Sequence, residues 1–182
     1  MGTSTDREVE PPSTSLKLPG LVLGVGLGGF IDGILLHQIL QWHHMLTSTN
    51  SDHIGVRYYP ADTVHGLEIN TLWDGLFHTF TWLAVLTGLA LLFSRVRDSR
   101  RKLWSSRALW GWVLVGWGAF NLVEGIIDHH ILAIHHVRSG DYQTLWDIGF
   151  LVLGLALIAI GWLLQRSVRP VDSEAATADR VR

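Results

Sequence analysis

Four stretches of this chain are too long and too apolar to be the core elements of a small soluble domain. They run from about Leu18 to Met45, Ile69 to Phe93, Ala108 to Val137 and Thr144 to Leu164. Each reaches the ~20 residues that an α-helix needs to cross the hydrocarbon of a bilayer. A backbone in lipid must satisfy its own hydrogen bonds, and continuous apolar runs of this length do so as helices. The expected fold is therefore all-α, an integral membrane four-helix bundle. Composition agrees, because charged residues make up only 16% of the chain, below the ~25% usual in soluble domains. Its nine tryptophans and nineteen glycines are residue types favoured in membrane helices and at their borders. The first and third stretches exceed a simple span and are expected to tilt or to project beyond the hydrocarbon.

Residues 1–16 are polar and contain two prolines, and 167–182 are also polar, so both read as disordered tails around a transmembrane domain at 17–166. The first tail lacks the basic start and cleavage site of a signal peptide. Asp6 stands where a myristoylation pattern needs Ser or Thr. Arg95, Arg97, Arg100, Arg101, Lys102 and Arg107 crowd the loop between the second and third stretches, whereas Arg57 and Arg138 stand alone in the other two loops. The positive-inside rule places the basic loop and both termini in the cytoplasm. Trp42, Trp73 and Trp146 then mark the outer interface, with Trp104, Trp110 and Trp162 nearer the inner one. The formal net charge of −2 comes with no basic block of the size that nucleic acid requires. The bilayer is the expected partner, with a homo-oligomer or a membrane-complex partner compatible with the pattern.

Cysteine is absent, which excludes disulfides, thiolate zinc sites, iron–sulfur clusters and cysteine nucleophiles. With Met1 and Met45 the only methionines, a soft copper(I) relay is not expected either. Any metal must be held by imidazole and carboxylate. The run "GLVLGVGLGG" (20–29) lies inside a span with no strand before it, so its spaced glycines suit close helix approach and not a phosphate loop.

The second half of the chain echoes the first. "FIDGILLHQILQWHHM" (30–45) aligns without gaps to "LVEGIIDHHILAIHHV" (122–137), and "TLWDGLF" (71–77) to "TLWDIGF" (144–150). Asp32 thus matches Glu124, His37 matches His129, the pair His43-His44 matches His135-His136, and Asp74 matches Asp147. Two tandem two-helix repeats, about 18–93 and about 108–165, are expected around a pseudo-twofold axis along the membrane normal. In a straight helix His37 and His44 lie roughly 10 Å apart along the axis, which predicts two layers. The deeper layer is a three-imidazole site of His37, His78 and His129 with Asp128 beside it. The outer layer holds His43, His44, His135 and His136, with Asp74 and Asp147 entering from the second and fourth spans. Metal ligands are expected first at His37, His78 and His129, then at His44, His136, Asp128 and Asp74. Asp32, Glu124, His43, His130, His135 and Asp147 are expected to orient ligands or carry protons. His53 and His65, in the first outer loop, are read as solvated or as part of a lid with Tyr58 and Tyr59.

Copper, iron or zinc suits such a set, and haem b on a facing histidine pair is the alternative cofactor. The segments "DGILLHQILQWHHM", "LWDGLFH" and "EGIIDHHILAIHHV", with their LHQxLQWHH motif, resemble a bacterial family of small four-helix predicted membrane proteins of unknown function. That resemblance implies a multi-pass protein of a bacterial plasma membrane and implies no activity. The expected function is a membrane-embedded metal-binding protein with a histidine/carboxylate centre near the outer leaflet, redox-active or catalytic. As an enzyme it would be a metal-dependent oxidoreductase or hydrolase. Ion or proton transport, a single-haem protein, and an assembly or scaffold protein without a cofactor are the alternatives.

Overall fold

A computed structural model describes residues 15–97 and 105–167. The chain forms α1 (Lys17–Asp32), a short α2 (Ser51–Ile54), α3 (Val64–Arg97), α4 (Ser106–Glu124) and α5 (Gln143–Arg166). π-helical segments extend α1 over Gly33–Ile39 and α4 over Gly125–Ile131. There is no strand among the described residues. Four spans are long and apolar enough to cross a membrane: Lys17–Ile39, Val64–Arg97, Ser106–Ile131 and Gln143–Arg166. Most of both tails and most of the basic loop expected in the cytoplasm lie outside the described residues.

The helices pack in the order α3, α1, α4, α5, with α1 against α4 in the middle and no direct α3–α5 contact among the described residues. Glycine sets the central approach. A Cβ on Gly24 would collide with Val113 O, and one on Gly116 with Leu21 O, so any side chain there would force α1 and α4 apart. Small residues at such seams let backbones touch and gain dispersion contacts, which lipid-exposed apolar surface cannot supply by burial alone. Seams on either side use Gly26 and Gly88 between α1 and α3, and Gly118 and Gly161 between α4 and α5. The outward faces of α3 and α5 carry large exposed apolar residues such as Leu72, Phe80, Leu153 and Leu155. That pattern is the reverse of a soluble bundle and suits a lipid solvent.

The first and third spans do not run straight to Met45 and Val137 as expected. Each α-helix gives way to π-helical turns, closed by Leu40 N–H to Leu35 O (2.8 Å) and by Leu132 N–H to Ile127 O (2.7 Å). Gln41 (φ +50°) and Ala133 (φ +46°) then adopt the left-handed region, which is uncommon for residues other than glycine. There the chain turns back on itself. Trp42 N–H bonds Leu36 O and Ile134 N–H bonds Asp128 O, both at 2.9 Å. The two returning segments are stitched together by Ser48 N–H to Ile134 O (2.9 Å) and Ser139 N–H to Trp42 O (3.1 Å). Asn70 of α3, fully buried, holds the loop between α1 and α3 by accepting from Leu46 N–H (2.9 Å) and donating to Tyr59 O (2.7 Å).

Candidate metal centre

The reversal at Gln41 and Ala133 decides where the histidines go. His37 sits on the first π-helical segment and His129 on the second, while His43 and His135 return from beyond the turns to meet them. His37 and His43 have ring centroids 4.4 Å apart, His129 and His135 4.9 Å, and His43 and His135 stack at 4.7 Å. One compact cluster of four imidazoles replaces the two layers expected of straight helices. All four are buried, none more than 3% exposed. Phe77 stacks on His37 at 5.5 Å and Phe150 flanks His129 at 5.3 Å, closing the sides.

Two aspartates pin the returning segments. Asp74 of α3 accepts from His37 Nδ1 (3.0 Å), His44 Nδ1 (2.6 Å) and Met45 N–H (3.0 Å). Asp147 of α5 accepts from His136 Nδ1 (2.7 Å) and Val137 N–H (3.0 Å), and faces His129 Nδ1 at 3.4 Å. His43 Nδ1 lies 2.8 Å from Val137 O, and His135 Nδ1 lies 3.4 Å from Met45 O. A carbonyl can only accept, so in both rings Nδ1 carries the hydrogen and Nε2 presents a bare lone pair. Such an outward hydrogen bond is the usual way a ligating imidazole is held in its tautomer and orientation.

The inward atoms have no such partners. Asp32 Oδ2, Glu124 Oε2, and the Nε2 atoms of His37, His43, His129 and His135 are all buried and make no hydrogen bond. His37 Nε2 lies 3.3 Å from Asp32 Oδ2, and His135 Nε2 lies 3.5 Å from Glu124 Oε1. Buried polar atoms are paired in the great majority of cases, so six unpaired ones converging in one place call for a common partner. They fall into two groups, Asp32/His37/His43 and Glu124/His129/His135, in each of which the ligand-capable atoms lie within 4.8 Å of one another. Burial pushes the His43 imidazole down to about 4, with neighbouring His37 adding to the effect, and pushes His135 well below its ordinary value. Both rings, which lie beyond the spanning segments, are neutral at neutral pH and free to donate a lone pair.

Other expected ligands sit elsewhere. His78 turns its Nδ1 to Asp74 O (2.7 Å) and packs edge-on against Phe30 and Phe77, and it belongs to neither group. His130 is exposed, with Nδ1 on Gly125 O (2.8 Å), and Asp128 is half-buried outside both groups. His44 and His136 hold the far oxygens of Asp74 and Asp147. His65 is exposed beside Tyr59, with ring centroids 6.0 Å apart. His43 and His135, expected to orient ligands, instead stand inside the groups, as do Asp32 and Glu124. The sequence signal that could have found them is that Asp/Glu, His and His recur at the same offsets in both halves.

Neither a curated protein nor a solved structure matches this chain. The profile of one protein family matches residues 19–168, a region that contains all four spans except the first two residues of α1, together with every residue of both donor groups. The chain belongs to that family, described as predicted membrane protein (DUF2243).

Proposed function

We propose that this protein is a membrane metalloprotein that holds two transition-metal ions side by side, one on Asp32, His37 and His43 and one on Glu124, His129 and His135. The observation that carries this reading is the set of six buried, unpaired donor atoms, four imidazole Nε2 and two carboxylate oxygens. Histidines that served only to join helices would spend those atoms on hydrogen bonds to one another or to the backbone. Charge supports the same conclusion. Asp32, Asp74, Glu124 and Asp147 are all buried, and among the described residues their close partners are imidazoles, backbone N–H groups and, for Asp32 and Glu124, each other, with no lysine or arginine at hand. Buried carboxylates in such number are stable when paired with cations, and two divalent ions supply the compensating charge.

Two imidazoles and a carboxylate per ion, with further coordination positions open, suit iron, copper or zinc. With an open position, such an ion supplies Lewis-acid or redox chemistry. The protein's own contribution is orientation: Asp74 hydrogen-bonds His37, Asp147 faces the Nδ1 of His129 at 3.4 Å, and the carbonyls of Val137 and Met45 hold His43 and His135. Haem fits less well, because a bis-imidazole haem places a macrocycle between its two histidines, whereas His43 and His135 lie face to face at 4.7 Å.

We further read the molecule as two copies of a two-helix unit about an axis through the Gly24–Gly116 contact, set in a bacterial plasma membrane. The centre then lies near the outer leaflet and both termini in the cytoplasm, on the strength of the basic loop between α3 and α4. The test is metal analysis of detergent-purified wild type beside a His37→Ala/His129→Ala variant, each after reconstitution with iron, copper and zinc in turn. Two ions per wild-type chain and a clear loss in the variant are expected. Equal, near-zero metal in both preparations rejects the proposal.

A further inference from the structure

We propose that a side pocket beside Asp32 binds a lipid-soluble phenol, with its hydroxyl directed at Asn121 and Asp32 and its apolar tail lying along α1. The pocket is a cavity of about 360 Å³ between α1, α4 and α5, within the range of small-molecule sites. Its walls include Trp42, Trp117, Trp146 and Phe150, and its polar end is Asp32 and Asn121. Trp42 and Trp146 pack at 5.0 Å, and Arg138 lies over both indoles at 5.3 and 5.6 Å.

The polar end specifies what the ligand must bring. Asn121 is 1% exposed and Asp32 6%; Asn121 Oδ1 has no hydrogen-bond partner, and Asp32 Oδ2 has only His37 Nε2 nearby, at 3.3 Å, which leaves a lone pair of the carboxylate for a further donor. Both atoms accept, so the group that satisfies them must donate, and an unsatisfied buried acceptor is costly. A hydroxyl meets that need. An anionic head does not, because it would face a carboxylate, and no lysine or arginine lines the cavity. The aromatic walls favour a flat ring, since aromatic pairs gain beyond their buried area, which selects a phenol over an aliphatic alcohol. A second hollow of about 400 Å³ shares Ile31 and Leu35 with the first and continues over Leu27, Phe30, Ile34 and Ile39. All of these belong to the first span, so a tail laid there is shared between protein and hydrocarbon.

The opposite flank of the molecule is built differently. Where the pocket has Gly28 and Gly149, the aligned positions of the other half hold Phe120 and Leu76, and Phe120 packs against Phe77 at 6.1 Å. Two residues that line this opening are thus glycines where the aligned positions carry bulkier side chains. This inference rests on the metal reading in one respect only: Asp32 is also a member of the first donor group, so the bound hydroxyl lies next to that ion.

The test is equilibrium binding of radiolabelled para-dodecylphenol to the full chain in lipid nanodiscs, with dodecylbenzene as competitor and metal content measured on the same samples. Gly149→Leu is the chosen variant, because Gly149 lines the pocket and a Cβ there meets open space, so a larger side chain has room to occupy it. Saturable binding that dodecylbenzene does not displace, and that weakens about tenfold or more in Gly149→Leu, is expected. Asn121→Leu should weaken it by a comparable factor through the lost hydrogen bond. Equal displacement by dodecylbenzene, or unchanged affinity in Gly149→Leu, overturns the proposal. Phenol binding by a chain that takes up no metal would reject the metal centre and leave the pocket standing. Metal uptake without phenol binding would do the reverse.

Discussion

Replacing Asp74 by Asn separates the role of an orienting carboxylate from that of a ligand. Asp74 is 1% exposed and accepts three hydrogen bonds, from His37, His44 and Met45. Asparagine keeps Oδ1, which serves His37 and Met45, and presents an amide to His44 where a carboxylate oxygen stood. One charge-assisted bond, the shortest of the three at 2.6 Å, is lost outright. Bonds of that kind contribute about 1.5–3 kcal/mol, which for a chain of this size lowers the melting temperature by roughly 3–12 °C. The effect on metal is larger than the effect on fold. His37 loses its anionic partner and becomes a weaker, less fixed ligand, and outer partners of this type change metal affinity by about 10–100-fold. The assay is metal retention per chain, by mass spectrometry, after dialysis against chelators of increasing strength. In Asp74→Asn one ion should be stripped by a weaker chelator while the second holds as in wild type, and Asp147→Asn should do the same to the other ion. Asp32→Asn, which alters a ligand, should lose one ion even without chelator. If Asp74→Asn keeps both ions as tightly as wild type, or loses both together, the assignment of Asp74 to the Asp32/His37/His43 group is wrong.

Gly116→Ala should destabilise the detergent-solubilised protein by about 1–3 kcal/mol or more, because its methyl meets the Leu21 carbonyl and backbone cannot yield as a side chain does. Gly75→Ala, whose Cβ meets nothing, should be neutral or slightly stabilising in the same thermal melt, and a destabilisation equal to that of Gly116→Ala would refute the central seam. Acid should unfold the chelator-stripped protein. His43 and His135 have lowered values in the fold, so protons bind the unfolded chain more readily, and stability is lost as pH falls below about 6.5. The slope is about 1.4 kcal/mol per pH unit for each histidine, continuing for His43 down to about 4, and flat melting temperatures between pH 7 and 4 would contradict it. Because the chain has no cysteine, single cysteines report topology cleanly. A membrane-impermeant maleimide applied to intact cells should label Ser139→Cys and not Ser167→Cys, and the opposite pattern would invert the assigned orientation.

The spans were legible because their signal is simple: long apolar runs bounded by loops that differ sharply in charge. The recurrence of His-His and Leu-Trp-Asp in the two halves was legible too, and Asp74 and Asp147 lie against the segments that return from the two π-helical turns. What could not be read was the path of the chain between His37 and His44. A straight helix keeps those two residues far apart, but π-helical turns followed by left-handed Gln41 and Ala133 bring His43 back against His37 and both His37 and His44 onto Asp74. No glycine marks either reversal. Glutamine and alanine carry no sequence preference for that conformation, and the tertiary bonds to Asp74, Asp147 and the facing carbonyls hold it in place. Such strained turns and π-helical segments recur at functional sites, where the surrounding contacts offset their cost. His78 illustrates the converse. Its depth along α3 suggested a ligand, but depth does not fix direction, and its ring turns to the backbone of its own helix.

Anomalous X-ray diffraction from crystals of the metal-loaded wild-type protein tests the paired centre most directly. Two peaks are predicted, one within about 2.0–2.2 Å of donor atoms from Asp32, His37 and His43 and one equally close to Glu124, His129 and His135. No peak within the helix cluster, or a peak held instead by His44, His78 or His136, would contradict it.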